Sequence, residues 1–365
     1  MFIPGWESQF SANRASVSFT YSAALVCLTI AVLLGHRVYR RLPPHLMFLG
    51  VGLFTSLGLL FSSQSSSLHS LYIYYGLVFG GANGLGYGFA LQLAGQVART
   101  RRGLAMGLVT AFYAVGATLA PILFRHLITV GGNPFALRSM SMVVLLVALV
   151  SAFVIYKTRP SFISETAATV KCWSPSFVRI RRTLWLAYGC AVCAGLMLIG
   201  HAYSIAIWLN FDLSTATWST TLIAFCNMLG GFSAGYLADR WSSQGLLRWL
   251  PLLSVVGLLL LVIPLSSWSV IAFLGFGFVG YSYGALIAVY PVAVVDTFGT
   301  IAATRVYGQV FTAWGLAGFI GPWFTGWLYD ITGTYTVAII TAMLLSAAST
   351  ATVYRQLDIP GSISS

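Results

Sequence analysis

Eleven mostly apolar runs, each of the ~20 residues that a bilayer crossing needs, follow one another along this chain. They fall near 18–35, 46–64, 70–97, 103–124, 139–156, 184–209, 216–238, 249–267, 269–295, 306–328 and 333–354. Within them, His201 is the only residue from the Asp, Glu, Lys, Arg and His set. Only 7% of the 365 residues are charged and 58% are hydrophobic. A soluble domain carries roughly 25% charged residues, so this chain cannot cover a water-facing surface. In hydrocarbon every backbone polar group must be satisfied internally, which leaves helices as the form such runs take. The expected fold class is an all-α polytopic membrane protein, and a soluble enzyme, a disordered chain and a disulfide-rich secreted domain are excluded.

Charge placement sets the orientation. Sixteen of the nineteen Lys and Arg fall in one alternate set of connections, among them Arg37, Arg40, Arg41, Arg99, Arg101, Arg102 and Arg240. The other set holds Arg14, Arg125 and Arg138. The basic side faces the cytoplasm, which puts the C-terminus there and the N-terminus outside. The formal net charge of +12 is therefore read as membrane orientation, and no nucleic-acid partner is expected. The lipid bilayer is the expected surroundings, and the chain is expected to be a monomer.

The longest basic connection, 157–183, contains Pro160 and Pro175 and reads as a cytoplasmic linker. It divides the chain into an N-terminal bundle, 1–156, of about five spans and a C-terminal bundle, 184–365, of six. The opening residues lack the pattern of a signal peptide. A first span is expected to be missing, so that about eleven spans stand in for 6+6.

The halves repeat at a shift near 200. Gly35 and Arg40 correspond to Gly235 and Arg240, and Gly107, Tyr113 and Pro121 to Gly308, Trp314 and Pro322. Gly235-x-x-x-Asp239-Arg240 resembles the loop motif of the major facilitator superfamily. There, the acid–base pair acts as a latch between two access states. The first copy departs from it, with Tyr39 where the Asp is expected, so a latch on that side is in doubt. The stretches "AGLMLIGHAYSIA" (194–206), "FTAWGLAGFIGPWFTGWLYDITGTYTVA" (311–338) and "GLAMGLVTAFYAVGATLAPIL" (103–123) are similar to the oxalate:formate antiporter family within that superfamily. This resemblance implies a two-bundle carrier in the cell membrane, with a bacterial inner membrane as its setting, that exchanges small carboxylates. Members of that family hold a dicarboxylate with basic residues in helices eight and eleven. Runs 216–238 and 306–328 contain neither Lys nor Arg, which favours a monocarboxylate over oxalate.

The residues offer few groups for a polar path. An ionisable residue inside a membrane marks function by default, which singles out His201 as an anion donor or proton carrier. Its competitor is a packing histidine bonded to a backbone carbonyl. Tyr113 and Trp314 stand at equivalent repeat positions and carry O–H and N–H donors, with aromatic packing as the alternative. Asn83, inside "GGANGLGYG", and Asn227, ahead of Gly230 and Gly231, are pathway candidates or interhelical hydrogen bonds. Arg125 stands at an outer helix end, where it attracts anions or snorkels to the interface. Gly315, Gly318, Gly321 and Pro322 read as a contact stripe and hinge.

No metalloprotease or phosphate-binding motif occurs here: there is no H-E-x-x-H and no phosphate loop. The five histidines lack ligand spacing, so neither metal nor cofactor is expected. Of the five cysteines, Cys27, Cys172, Cys190, Cys193 and Cys226, the C-x-x-C pair lies in an apolar run and reads as small packing residues. Two other readings remain beside the anion carrier. One is a carrier of a neutral or aromatic solute, and the other a truncated, non-transporting member of the same fold.

Overall fold

The computed structural model describes residues 2–12, 14–163, 175–262 and 268–357. Linker residues 164–174, with Cys172, lie outside them. Helices make up most of the described residues of the eleven runs, and no strand occurs among the described residues. Helices α1 (Ile3–Phe10), α2 (Arg14–Tyr39), α3 (Pro44–Ser62) and α4 (Leu68–Leu71) come first. A π-helical turn, Tyr72–Phe79, joins α4 to α5 (Gly80–Val97). Then follow α6 (Arg102–Thr158), α7 (Pro175–Ile199), α8 (Ala202–Trp208), α9 (Leu213–Arg240), α10 (Ser243–Val262), α11 (Trp268–Thr332) and α12 (Thr336–Leu357). Eight helices among the described residues are long and apolar enough to cross a bilayer.

Two helices are too long for one crossing, and glycine breaks each of them. In α6 the break is at Gly131–Gly132, where Gly132 has φ 70°. In α11 it is Gly299, with φ 77°. Residues with a Cβ avoid that region, and glycine enters it freely. The break at Gly131–Gly132 separates run 103–124 from run 139–156, and the one at Gly299 separates run 269–295 from run 306–328. The run 70–97 is divided by the π turn. The run 184–209 is also not one helix, because it breaks at Gly200–His201 between α7 and α8.

The chain forms two compact units. One comprises Met1–Val97, Gly116–Ala167 and Thr300–Thr312, and the other Ala98–Val115, Ala168–Gly299 and Ala313–Ser365. Segments 98–115 and 300–312 are the pieces that depart from a cut at the linker.

Each unit is closed by small residues that let backbones meet. In the first, a Cβ on Gly80 would lie 2.7 Å from Ala24 Cα, and one on Gly84 would lie 2.7 Å from Leu28 Cα. In the second, a Cβ on Gly280 would lie 3.0 Å from Ile223 Cα, and Gly284 abuts the Asn227 carbonyl. The glycines correspond at a shift of 200, so the repeat extends to how the helices pack. Larger side chains fill the rest. Trp6, Val17, Leu59, Leu71 and Leu137 form one cluster of the first unit. In the second unit, Met197, Leu198, Leu258, Leu261, Phe276 and Ile339 belong to a wider core.

Candidate functional site

In the second unit, α9 and the first arm of α6 (102–130) meet along two stripes of small residues. The stripes are Gly231, Gly235 and Asp239 on α9, and Gly103, Gly107 and Ala111 on α6. Both have the four-residue spacing of one helix face. A Cβ on Gly235 would lie 2.6 Å from the Gly103 carbonyl oxygen and 2.7 Å from Gly107 Cα. At the end of the stripe the Asp239 carboxylate accepts the N–H of Gly103 at 2.7 Å and of Leu104 at 2.8 Å. These first-turn donors have no intrahelical acceptor, and a carboxylate complements the positive end of the helix dipole. Arg240 does something else: its guanidinium lies 4.7 Å from the centroid of the Tyr236 ring.

The first copy of the motif is built differently. The Tyr39 ring folds back over Gly35, and its hydroxyl donates to the Leu85 carbonyl of α5 at 3.0 Å. Tyr39 is 3% exposed and packs against Phe89 and Phe162. A phenol that anchors α2 to α5 therefore stands where the second copy has a helix-capping carboxylate.

His201 is placed by the break between α7 and α8. Its Nε2 lies 2.9 Å from the Pro322 carbonyl of α11. A carbonyl only accepts, so Nε2 carries the proton. Nδ1 is left as an acceptor, 3.5 Å from the hydroxyl of Tyr335, the residue before α12. The side chain ties the α7–α8 junction to α11 and to the turn ahead of α12, and its shorter contact goes to a backbone carbonyl.

Trp314 and Tyr283 bring together two other parts of the second unit. The Trp314 indole N–H donates to the Tyr283 hydroxyl at 3.1 Å. Tyr283 is 8% exposed, and its ring lies against Gly195 of α7. Sequence reasoning missed Tyr283. The repeat shift carried a signal for it, because Asn83 plus 200 is Tyr283, and Asn83 had been singled out.

The remaining candidates are dispersed. Asn83 is half-buried on α5. Asn227 is half-buried on α9, with its side-chain oxygen against Gly284. Tyr113 is 49% exposed on the first arm of α6. Arg125 is exposed further along the same arm. In the glycine stripe, Gly321 lies against the Cys193 carbonyl and Leu196 of α7, and Gly318 against Leu196, within one unit. Pro322 is inside α11, where its carbonyl meets His201 and its ring lies against Gly200. Gly315 is half-buried in α11. Among the described residues, no group of three His, Cys, Asp or Glu could hold a metal. Cys190 and Cys193 are free thiols.

Comparison with known proteins adds a family match, two relatives and two solved structures. A family model described as "Major Facilitator Superfamily" matches residues 1–322. A curated relative, monocarboxylate transporter 13 of Rattus norvegicus, is 25% identical, with 94% of this chain and 80% of that protein covered. An Escherichia coli (strain K12) protein described as an uncharacterized MFS-type transporter, YhjX, is 23% identical over 87% of this chain and 80% of its own length. Among solved structures, FucP in the outward conformation superposes with a TM-score of 0.75 at 15% identity, covering 97% of this chain and 93% of that one. The proton:xylose symporter XylE gives a TM-score of 0.70 at 13% identity, covering 93% of this chain and 86% of that one. At these identities the structures bear on the fold alone.

Proposed function

Because the chain belongs to the Major Facilitator Superfamily and is a multi-pass membrane transporter, we propose that its substrate is a small organic anion. A monocarboxylate is the preferred class, moved by alternating access with the C-terminus in the cytoplasm. The observation that carries this reading is the Trp314–Tyr283 pair. Trp314 lies in span 306–328, which like span 216–238 holds no Lys or Arg. Neutral N–H and O–H donors suit one carboxylate better than two, since a dianion without cations leaves a charge uncompensated in a poorly solvating medium. The relatives named monocarboxylate transporters support the same class.

In this reading Trp314 and Tyr283 bind, and Asn83, Asn227, Tyr113 and Arg125 are further candidates along the path. His201 joins helices and sets the position of α11. Asp239, Gly235 and Arg240 form the latch, and the stripe at Gly315, Gly318, Gly321 and Pro322 lets α11 move against α7. The halves 1–156 and 184–365 are the bundles that rock. A neutral or aromatic solute is the second reading, favoured by the same lack of cations in these spans.

The test is counterflow in proteoliposomes, with labelled formate, lactate, pyruvate and oxalate each set against its own unlabelled pool. Saturable exchange of a monocarboxylate with oxalate inert supports the proposal. Exchange of oxalate alone, or of none of the four, rejects it.

A further inference from the structure

One buried polar group of the first unit is left without a partner. Gln92 of α5 is 3% exposed, and its Nε2 is fully buried with no hydrogen-bond partner. Its Oε1 faces the Thr304 hydroxyl of α11 at 3.5 Å. Thr304 is itself 4% exposed. Exchanging the amide oxygen and nitrogen would still leave one end unmatched. A buried donor without an acceptor destabilises the state that contains it, and native structures hold few of them. Such a group is retained where another state uses it.

The surroundings indicate what it uses. Gln92 lies five residues before the end of α5. Thr304 is followed by the half-buried Arg305. Within the same unit, Arg37, Arg40 and Arg41 stand at the end of α2, whose Tyr39 bonds α5 at Leu85, so this is a basic end, where anions are concentrated. An amide N–H is a donor without charge, suited to a carboxylate that must also be released.

We propose that Gln92 is an anion-binding residue of this carrier. Its amide is held against Thr304 in the present arrangement, and it donates Nε2–H to the carboxylate of the substrate when the α5–α11 contact opens. This rests on the small-anion reading and adds a residue on the basic side of the membrane that the Trp314–Tyr283 pair does not supply.

The experiment uses Gln92→Met, which keeps the length and removes the amide, in the purified full chain. Two quantities are read, the half-saturation concentration for counterflow of labelled lactate and the melting temperature. The expected result is a half-saturation raised roughly 10- to 100-fold, the size of a lost hydrogen bond to a charged group, with melting unchanged or higher. Gln92→Asn, which keeps the amide on a shorter arm, is expected to fall between Met and wild type. A Met variant with unaltered half-saturation overturns the proposal. So does one that melts lower or cannot be purified, because the amide is then a packing or water-binding element. Should the wild type exchange none of the four anions, the carrier reading fails and this role with it. Wild-type exchange with an indifferent Met variant rejects the Gln92 role alone.

Discussion

The Asp239 carboxylate accepts the main-chain N–H of Gly103, 136 positions earlier in the chain, at 2.7 Å. Its second oxygen takes the neighbouring N–H of Leu104 at 2.8 Å. A side chain at the end of α9 thereby caps α6. Because Gly235 lets the two backbones touch one turn away, the cap and the close approach depend on each other.

Removing the cap tests this. Asp239→Ala is expected to lower stability by about 1–2 kcal/mol, the usual range for a lost cap with its dipole term. Thermal unfolding of the purified protein measures it. If the contact is also a latch, the maximal exchange rate changes while the half-saturation concentration stays near wild type.

The glycine at the crossing is equally exacting. Gly235→Ala puts a methyl within 2.7 Å of Gly107 Cα. Forcing atoms into a packed contact costs about 1–3 kcal/mol. Gly116→Ala is the control in the same helix as Gly107, because no atom lies within 4 Å of its added Cβ. The melting temperature should fall for the first and hold for the second.

Trp314 and Tyr283 are expected to act as one unit. Trp314→Phe and Tyr283→Phe each remove one side of the 3.1 Å bond. Each should weaken half-saturation by several-fold, in line with about 0.5–1.5 kcal/mol for a hydrogen bond. The double variant should be no worse than the single ones, the non-additivity expected of partners in direct contact. Additive losses in counterflow titrations would separate the two residues.

His201→Ala removes the donor to the Pro322 carbonyl. The expected loss is about 1 kcal/mol of stability, with half-saturation unchanged. A raised half-saturation at normal stability would instead put the histidine in contact with the solute.

Asp212, just outside the span Leu213–Arg240, caps α9. Donation from the Thr215 hydroxyl, with the N–H groups of Thr215 and Ser214, holds its carboxyl below the ordinary carboxylate value. A lowered folded value stabilises the protein above the unfolded value near ~3.9. That contribution fades as pH falls through the folded value. Melting curves from pH 7 downward should show this acid-side loss, and Asp212→Asn should show less of it.

Much of the fold is legible in the chain because hydrocarbon leaves few options. The eleven runs mark where helices occur, and the shift of 200 foretells that Gly80 and Gly280 pack alike. The breaks at Gly132 and Gly299 fall in the gaps between expected runs, 124 to 139 and 295 to 306, but the positive φ at each leaves no trace in apolar periodicity. Nor is the elbow at His201, where a continuous apolar run hides the end of α7. The motif Gly235-x-x-x-Asp239 points to a helix end as the acid's partner, but not to which one. Gly103 and Leu104 contribute backbone N–H groups, which every residue except proline has. Tyr283 is one of 18 tyrosines, and nothing in the apolar pattern sets it apart from the others. Gln92 is visible as a polar residue in a run, but its unmet donor is a property of the packed state alone.

The most direct measurement sets an anion against a neutral solute of the same shape. In proteoliposomes containing the purified chain, counterflow of labelled lactate is compared with that of labelled lactamide, each with its own internal pool. Saturable exchange of lactate with lactamide inert is expected of an anion carrier. Exchange of lactamide as fast as lactate, or of lactamide alone, would contradict it and establish the neutral-solute reading.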